Sequence, residues 1–510
     1  MGKGGQHNNS KGSSPLKKTA AGESAAKEAP KVAGTTSAKP WVSPFTPEKI
    51  DPRVSSMTKE EIDAQFPTKS ELKAIIPAHC FERSLFWSMF YVIRDVIQAC
   101  CVVYLTHCVL GLSTDPPGPI WTWQWWAWRL AWNFYGFAMT SAMGGLWVLG
   151  HECGHGAFSD YPVVNGAVGW TIHSIMLVPY FSWAFSHAKH HRRTNDLMDG
   201  ETHVPPTWED VGLVKTSKEG DNNNTKEPKY ERLSKDVVDS KLSFSAEGGL
   251  SEAFSYPLYG HALTHEHNGD EGFAWLMMWS RLLMGWQLYL AGVTSGGHIG
   301  SDRKPIQKGE FPDHYRPHSR LFPAKMYAKV IASDIGIGMT VSALIYFSWK
   351  YSFRAVWFWY FGPYMWIHAF LVMVTWLQHT DPTVPHFDSE NWTWMKGALA
   401  GTIDRPLYGW MNYSSHNIVT THVVHHLFHE MPHYHAVEAT KAIREYLEPK
   451  GLYNYDPTDC MAALYKLCEN CHFVDSLTDG IQYYRKFQDV PLYSETNAKK
   501  TEAVEAKKDQ

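Results

Sequence analysis

Histidines are grouped in this 510-residue chain at spacings that suit metal binding. His151 and His155 are four residues apart in HECGH. Residues three or four apart share one face of a helix, so such a group can direct its imidazoles at one point. The stretches HAKHH and HVVHH contain two further groups, which are His187, His190 and His191, and then His422, His425 and His426.

The number of these imidazoles favours two metal ions over one. Eight ligands exceed what a single tetrahedral zinc accepts. A set of ligands held mainly by nitrogen suits a pair of redox-active metals. His379, in TWLQHT, is a ninth candidate, because it ends an apolar segment and could meet the other groups there.

HECGH also matches H-E-x-x-H, in which two histidines bind zinc and the glutamate activates water in a protease. HEMPH at residues 429–433 is a second match, but Pro432 disfavours the helix that this spacing requires. A zinc protease needs two histidines, one further ligand and an open water position. The additional histidine groups therefore disfavour proteolysis.

Four apolar stretches predict the elements that position these groups. A membrane span takes about 20 apolar residues, and the candidates are residues 89–112, 129–150, 326–349 and 355–378. With a cytosolic N-terminus they form two hairpins that return every histidine group to the cytosolic face. The turn LSTDPPGP carries no Lys or Arg, as expected of a lumenal loop, whereas KYSFR carries two basic residues and disfavours this assignment.

Two further apolar stretches, GAVGWTIHSIMLVPYFSWAF and residues 273–294, are predicted to lie at the membrane interface. If either crossed the bilayer, the histidine groups would lie on opposite sides. Arg94 and Asp95 interrupt the first span, and we interpret them as a boundary pair at the headgroups or as neighbours that neutralise each other. The predicted fold is an all-helical integral membrane protein with a cytosolic helical cap.

Composition predicts polar segments around a central domain. Residues 1–58 are predicted to be a disordered tail, residues 59–460 the membrane domain and residues 461–510 a C-terminal tail. A polar insertion interrupts the domain at about 208–270 and carries His261, His265 and His267, for which we expect solvent exposure. The terminal KKDQ fits a dilysine retrieval signal or a solvated charged end equally well.

Several other functions are disfavoured. The net charge of -4 and the absence of a large basic domain argue against nucleic acid as a partner. CENCH, residues 468–472, matches the c-type haem pattern, but a short helix with small apolar thiols is the preferred interpretation. The eight cysteines are expected to be reduced.

The segments HECGHGAFSDY, HAKHHRRTND, WLQHTDPTVPHFD and HNIVTTHVVHHLFHEMPHYH resemble the histidine boxes of the membrane fatty acid desaturases, specifically the microsomal delta-12 type. The resemblance runs from about residue 60 to residue 450. Asp381 stands where many relatives have a second histidine, and Ala188 and Lys189 differ from the plant form. Neither departure removes a proposed ligand.

This resemblance implies a di-iron enzyme of the endoplasmic reticulum membrane with its active site facing the cytosol. O2 would be the co-substrate, and an oleoyl chain on a phospholipid would become linoleoyl. The chain has no HPGG signature of a fused cytochrome b5, so a separate cytochrome b5 and its NADH reductase are the implied electron donors. The implied iron ligands are His151, His155, His187, His190, His191, His379, His422, His425 and His426.

Three alternatives remain open at this point. Omega-3 desaturation of linoleate and hydroxylation at the same carbon use the same ligands. A membrane metal-binding or transport protein is a more distant reading, although transporter sites lie near the bilayer midplane. Among the other histidines, His416, His433 and His435, with Asn417, are candidates to orient ligands. We expect ordinary hydrogen-bonded roles for His173, His298, His314 and His368.

Overall fold

The structure is a computed structural model that describes residues 41–211, 213–215, 230–231, 271–293, 296–307 and 310–490. These residues are mostly helical. The longer helices are α4 (Leu85–Tyr104), α5 (Trp123–His155), α6 (Pro162–Ile175), α7 (Tyr180–Arg192), α8 (Glu271–Leu290), α9 (Tyr327–Lys350), α11 (Gly362–His379), α15 (His433–Leu447) and α16 (Cys460–Asn470). The shorter helices are α1 (Pro47–Ile50), α2 (Lys59–Ala64), α3 (Lys69–Ile75), α10 (Phe353–Val356), α12 (Trp394–Ala400), α13 (Gly409–Ser414) and α14 (His422–Leu427).

Short elements extend or connect these helices. Turns of π-helix continue α4 over Leu105–Val109 and join α10 to α11 over Trp357–Phe361. Turns of 3-10 helix occupy Ala78–Phe81, Ala324–Met326, Glu448–Lys450 and Phe487–Asp489. Two antiparallel pairs of strands are described, β1 (Val214–Lys215) with β2 (Tyr230–Glu231), and β3 (His386–Phe387) with β4 (Ile481–Gln482).

Each of the four predicted spans lies in helix, except for residues 110–112 at the end of the first. Two segments, Leu85–Val109 and Ala324–Lys350, are long and apolar enough to cross a membrane. Crossing by residues 129–150 and 355–378 stays a prediction. Helix α6 has 14 residues, about 21 Å, which is shorter than the roughly 30 Å of a bilayer core. This length agrees with an interfacial position for the stretch before HAKHH.

The turns of the two predicted hairpins lie together. Arg354, in KYSFR, forms an ion pair with Asp115, in LSTDPPGP. Beside this pair, the Trp132 ring packs against Phe358 and Trp359, with centroids 4.9 Å apart in each case. One of the two basic residues that disfavoured this turn is therefore paired with a carboxylate from the neighbouring turn.

Asp95 is fully buried within α4, and the headgroup interpretation of the Arg94–Asp95 pair stays a prediction. Arg94 Nε donates to Asp95 Oδ1 at 2.7 Å, as the neutralising interpretation predicts. His416 Nε2 lies 2.9 Å from the other carboxylate oxygen, which local sequence could not indicate. Gly145 on α5 permits this approach, because a Cβ there would lie 2.4 Å from Asp95 Oδ2.

Both predicted tails are too long. The segment from residue 41 to 58 is folded, with Phe45 and Ile50 buried in one core with Leu399 and Ile443. After residue 460, α16 packs its buried thiols against α8 and α11 in a second core. The polar local sequence gave no indication that these segments fold, because their apolar side chains are buried by elements far away in the chain. The remaining tail residues and most of the predicted insertion, with His261, His265, His267 and KKDQ, lie outside the described residues.

The CENCH segment comprises the end of α16 and the two residues that follow it. Cys468 ends a buried face of α16, and Cys471 follows the helix as another buried free thiol. His472 Nε2 lies 2.9 Å from the Cys468 carbonyl, and its Nδ1 accepts the Phe487 N–H at 3.0 Å. Both ring nitrogens are thus bound to backbone, which confirms the preferred interpretation of a short helix with small apolar thiols.

Candidate metal centre

Three long helices end at the same place and bring histidines with them. The last turn of α5 carries His151 and His155, and α5 stops at Gly156, whose φ of +73° favours glycine. The last two turns of α7 carry HAKHH, and His379 is the final residue of α11. Helix C-termini carry partial negative charge, so all three ends favour a cation at this point.

Five histidines from these ends and from α14 form the first group, which are His151, His155, His187, His191 and His425. One nitrogen from each lies within 4.8 Å of all the others. His151 Nε2 lies 2.9 Å from His187 Nε2 and 3.1 Å from His155 Nε2. His187 Nε2 also lies 3.1 Å from His191 Nε2. The spacing in HECGH, HAKHH and HVVHH therefore does place imidazoles from separate boxes around one point.

The remaining four predicted ligands form a second group. His190, His379 and His426 meet the same 4.8 Å criterion. His379 Nε2 lies 3.1 Å from His190 Nε2 and 2.9 Å from His422 Nε2. The two groups adjoin, because the rings of His191 and His426 stack with centroids 4.1 Å apart. All nine predicted residues thus converge in two neighbouring clusters.

The geometry fits metal ligation. Two nitrogens bound at about 2.1 Å to one ion, at right angles, lie about 3.0 Å apart, close to the contacts within each cluster. His379 Nδ1 lies 2.9 Å from the Gly401 carbonyl, which leaves Nε2 free to face the cluster. His426 Nδ1 is bound by Thr194, and its buried Nε2 has no hydrogen-bond partner, as is also true of His425 Nε2.

Burial keeps these rings in the form that binds metal. It lowers the pKa of His187, His190 and His422 well below the usual value, and neighbouring imidazoles lower it further. Neutral imidazole is the ligand form of histidine, so the site is ready for a cation near neutral pH. Protonating the cluster would place several like charges together in a buried site.

Glu152 does not take the position of a protease base. Its carboxylate is buried and accepts the His433 backbone N–H at 2.9 Å, at the start of α15. His433 Nδ1 lies 3.8 Å from the same oxygen. Glu152 thereby joins the histidine end of α5 to α15, and its negative charge suits a helix N-terminus. This placement agrees with the prediction against zinc proteolysis.

Asp381 has a role in the architecture of the site. The side chain is fully buried and lies 3.0 Å from Lys466 Nζ and 3.6 Å from Arg405 Nη2. Asp404, next to Arg405, accepts the Val423 N–H at 2.9 Å and so fixes the start of α14. Asp381 therefore ties the segment after His379 to Arg405 and Lys466.

Sequence reasoning missed two histidines beside the clusters. The His429 ring stacks on His155 with centroids 4.9 Å apart, and burial lowers its pKa to about 4. The His203 ring stacks on His379 at 5.2 Å. His429 was visible in HEMPH but lies in the loop before α15, as Pro432 predicted. His203 had no local signal, because only the fold brings it to the second cluster.

Three of the four histidines expected to have ordinary hydrogen-bonded roles have them. His173 Nε2 lies 3.1 Å from the Trp147 carbonyl, His368 Nδ1 lies 3.0 Å from the Tyr364 carbonyl, and His314 lies 2.9 Å from Ser186 Oγ. His416 bonds Asp95 and packs its ring 4.2 Å from that of His433. Its predicted role in orienting ligands stays a prediction.

Comparison with known proteins agrees with this site. The fatty acid desaturase family model matches residues 123–216 and 255–457. A Delta(12) fatty acid desaturase of Calendula officinalis is 34% identical over 421 residues, which cover 82% of this chain and 91% of the relative. An omega-6 fatty acid desaturase, endoplasmic reticulum, of Brassica juncea is 34% identical over 413 residues, 81% of this chain and 89% of the relative.

A third relative has a different reaction in its name. It is an oleate hydroxylase of Claviceps purpurea, 32% identical over 432 residues, which cover 81% of this chain and 80% of the relative. The matches extend over both histidine clusters and the helices that carry them. They also displace the metal-transporter interpretation. The chain belongs to the fatty acid desaturase family.

Proposed function

We propose that this protein is a delta-12 acyl-lipid desaturase, which introduces a cis double bond into an oleoyl chain to give a linoleoyl chain. The observation that carries the proposal is the convergence of nine histidines, seven of them buried, in two adjoining clusters. The names of the Calendula and Brassica relatives support the position of the bond.

The two clusters are suited to a pair of irons. The first would be held by the five histidines of the first cluster and the second by the four of the second. Bound iron and O2 would supply the oxidant needed to take hydrogen from an unactivated methylene. An all-imidazole set adds no negative charge, and the three helix C-termini offset part of the positive charge of the metals.

The chain itself holds the ligands in register. Thr194 and the Gly401 carbonyl fix two imidazole orientations from outside the second cluster. Glu152 fixes the end of α5 against α15 beside the first cluster. Because an acyl chain must present one carbon at a set distance from the reacting centre, this rigidity is a requirement of regioselective chemistry.

The substrate and electron donor belong to the same proposal. We expect an oleoyl chain carried on a phospholipid, with electrons from a separate cytochrome b5 and its NADH reductase. The protein would lie in the endoplasmic reticulum membrane with four spans and a cytosolic active site. Two apolar helices support the membrane spans. The ion pair between Arg354 and Asp115 joins the two hairpin turns. The histidines lie at the other ends of the hairpin helices, as expected if the turns and the active site are on opposite sides of the membrane.

Expression in yeast that makes oleate but no linoleate tests the proposal. We expect new linoleate with the wild-type chain and none with His190→Ala. His107→Ala is the matched control, since His107 is exposed and lies far from the clusters in the turn after α4. Expressed, membrane-inserted wild-type protein that yields no linoleate would contradict delta-12 desaturation, and feeding linoleate would then test omega-3 activity.

Hydroxylation is the second candidate, favoured by the similarity to the oleate hydroxylase of Claviceps purpurea. Desaturation and hydroxylation share the first hydrogen abstraction and differ in the fate of the carbon radical. The same yeast lipids should therefore be analysed for 12-hydroxy-oleate. A hydroxy product in excess of linoleate would place this chain with the hydroxylase.

A further inference from the structure

A third group of metal-binding side chain types lies outside the two histidine clusters. His79 and Cys80 belong to the 3-10 turn Ala78–Phe81, while His435 and Glu438 lie on α15. One ligand atom from each lies within 4.8 Å of the other three. His435 and Glu438 are three residues apart and so share a helix face. Two segments far apart in sequence therefore offer two nitrogens, one sulfur and one oxygen to a single point.

The distances between these atoms suit a tetrahedral ion. His79 Nε2 lies 2.9 Å from Glu438 Oε2 and 3.8 Å from Cys80 Sγ. Around zinc, with bonds of about 2.0 Å to nitrogen or oxygen and 2.3 Å to sulfur, the corresponding separations are about 3.3 and 3.5 Å. Side-chain movements of a few tenths of an ångström would bring the two observed pairs to these values.

Burial and charge are also appropriate. Cys80 is fully buried, whereas the side chains of His79 and Glu438 are 52% and 51% exposed, which gives an ion a path from solvent. One thiolate and one carboxylate would neutralise a divalent cation. The aromatic ring of Phe81 packs on Phe428 at 5.5 Å, so the turn that carries Cys80 is held in place.

We propose that His79, Cys80, His435 and Glu438 form a structural zinc site. Four protein ligands that include a thiolate are typical of closed, structural zinc sites, with no open position for substrate. The site would join the N-terminal segment to α15. That helix begins at His433, whose backbone N–H donates to Glu152 beside the first histidine cluster. Zinc would therefore stabilise α15, which contacts the active site through Glu152.

Zinc binding would be linked to loss of one proton. Burial and the nearby Glu438 charge raise the pKa of the Cys80 thiol to about 11, so without metal this residue is a neutral thiol. A bound cation favours the thiolate. The sulfur–zinc bond therefore forms as the thiol proton leaves to solvent, and no oxidation state changes.

Metal analysis of purified full-length protein tests the proposal. After dialysis against metal-free buffer, we expect about one zinc per chain in the wild type, and its loss from Cys80→Ser and from Glu438→Gln. Cys468→Ser controls for loss of a buried thiol, and Glu445→Gln controls for loss of an exposed carboxylate on α15. Iron should be equal in all five proteins, because the histidine clusters are unchanged.

Cobalt gives a second readout at the same position. Cobalt(II) added to zinc-depleted protein should produce a thiolate-to-cobalt charge-transfer band in the wild type and in Glu445→Gln, but not in Cys80→Ser. Equal zinc in the wild type and in Glu438→Gln would overturn the proposal. So would the absence of the charge-transfer band from a wild type that retains its iron. Glu438 is half exposed, so we expect Glu438→Gln to fold, which keeps the comparison decisive if Cys80→Ser is unstable.

Discussion

The apolar helices and the histidine centre place their side chains in opposite ways. On α4 and α9, large apolar side chains face outward, with Phe86 exposed by 72% and Ile345 by 65%. Around the clusters, imidazoles and carboxylates are buried, including His191 and Glu152. Apolar groups outside and polar groups inside suit a chain whose helices meet lipid and whose centre binds cations. A charged side chain is tolerated where its helix face points into the protein, and this depends more on packing than on the local sequence.

Asp95 tests the contribution of the buried polar side chains, and we expect its substitution to have the largest effect on stability. Asp95→Ala would leave Arg94 and His416 without their shared buried carboxylate. Removing one partner of a buried pair costs about 3–5 kcal/mol. Thermal unfolding in detergent should show this loss, and Asp95→Asn should lose less because it keeps a hydrogen-bonding oxygen. An unfolding temperature of Asp95→Ala equal to that of the wild type would contradict a stabilising role for this buried carboxylate.

Met339 tests the outward side. It is 61% exposed in the middle of α9, where the proposal places lipid. Met339→Lys should disfavour membrane insertion by about 2.5–3.5 kcal/mol. A glycosylation-based insertion assay of α9 would measure this, with Met339→Leu as the control. Equal insertion of the Lys and Leu variants would argue that this face meets water.

Substitutions of Glu152 test whether its carboxylate has a structural role or acts as a catalytic base. Its oxygen accepts the His433 N–H, and a glutamine can still accept that bond. We expect Glu152→Gln to retain part of the linoleate yield and Glu152→Ala to lose about 10- to 100-fold, as for groups that support metal ligands. The yeast fatty acid profile measures both variants. Equal and complete loss in both would indicate a chemical role for the carboxylate.

Acid tests the buried histidines away from the clusters, with the smallest effect. Burial lowers the pKa of His314 and of His472 to about 4, from 6.5 in the unfolded chain. Below pH 6.5 the unfolded chain binds protons that the folded chain does not, so stability falls as pH drops toward 4. The loss is about 1 kcal/mol per histidine at pH 5.5.

Unfolding temperatures at pH 7.5 and 5.5 would measure this loss. His472→Gln should reduce the pH dependence, because it removes one buried titrating group. A pH dependence identical to that of the wild type would show that His472 does not contribute.

Histidine spacing and the length of the apolar stretches predicted the local features of this fold. The i, i+3 and i, i+4 spacings in the histidine boxes predicted which imidazoles share a helix face, and all nine converge. Apolar length predicted the positions of α4, α5, α9 and the helix that ends at His379.

The rest depends on contacts between distant segments. The bond from His416 to Asp95 joins residues 321 positions apart, and His203 reaches His379 through a loop with no helical spacing. The segments after residue 40 and after residue 460 looked like tails because their apolar residues are few locally. They are folded because they complete cores built by α8, α11 and α15. No period of two or 3.6 residues records such contacts.

The iron content of the purified full-length protein is the most direct evidence for or against a di-iron centre at the nine histidines. The proposal predicts about two irons per chain in the wild type, less iron in His190→Ala and in His155→Ala, and unchanged iron in His107→Ala. Substituting one histidine in each cluster separates the two positions. Wild-type protein that binds no iron when supplied with ferrous iron, or iron that is unaffected by either cluster substitution, would contradict a di-iron centre at these nine histidines.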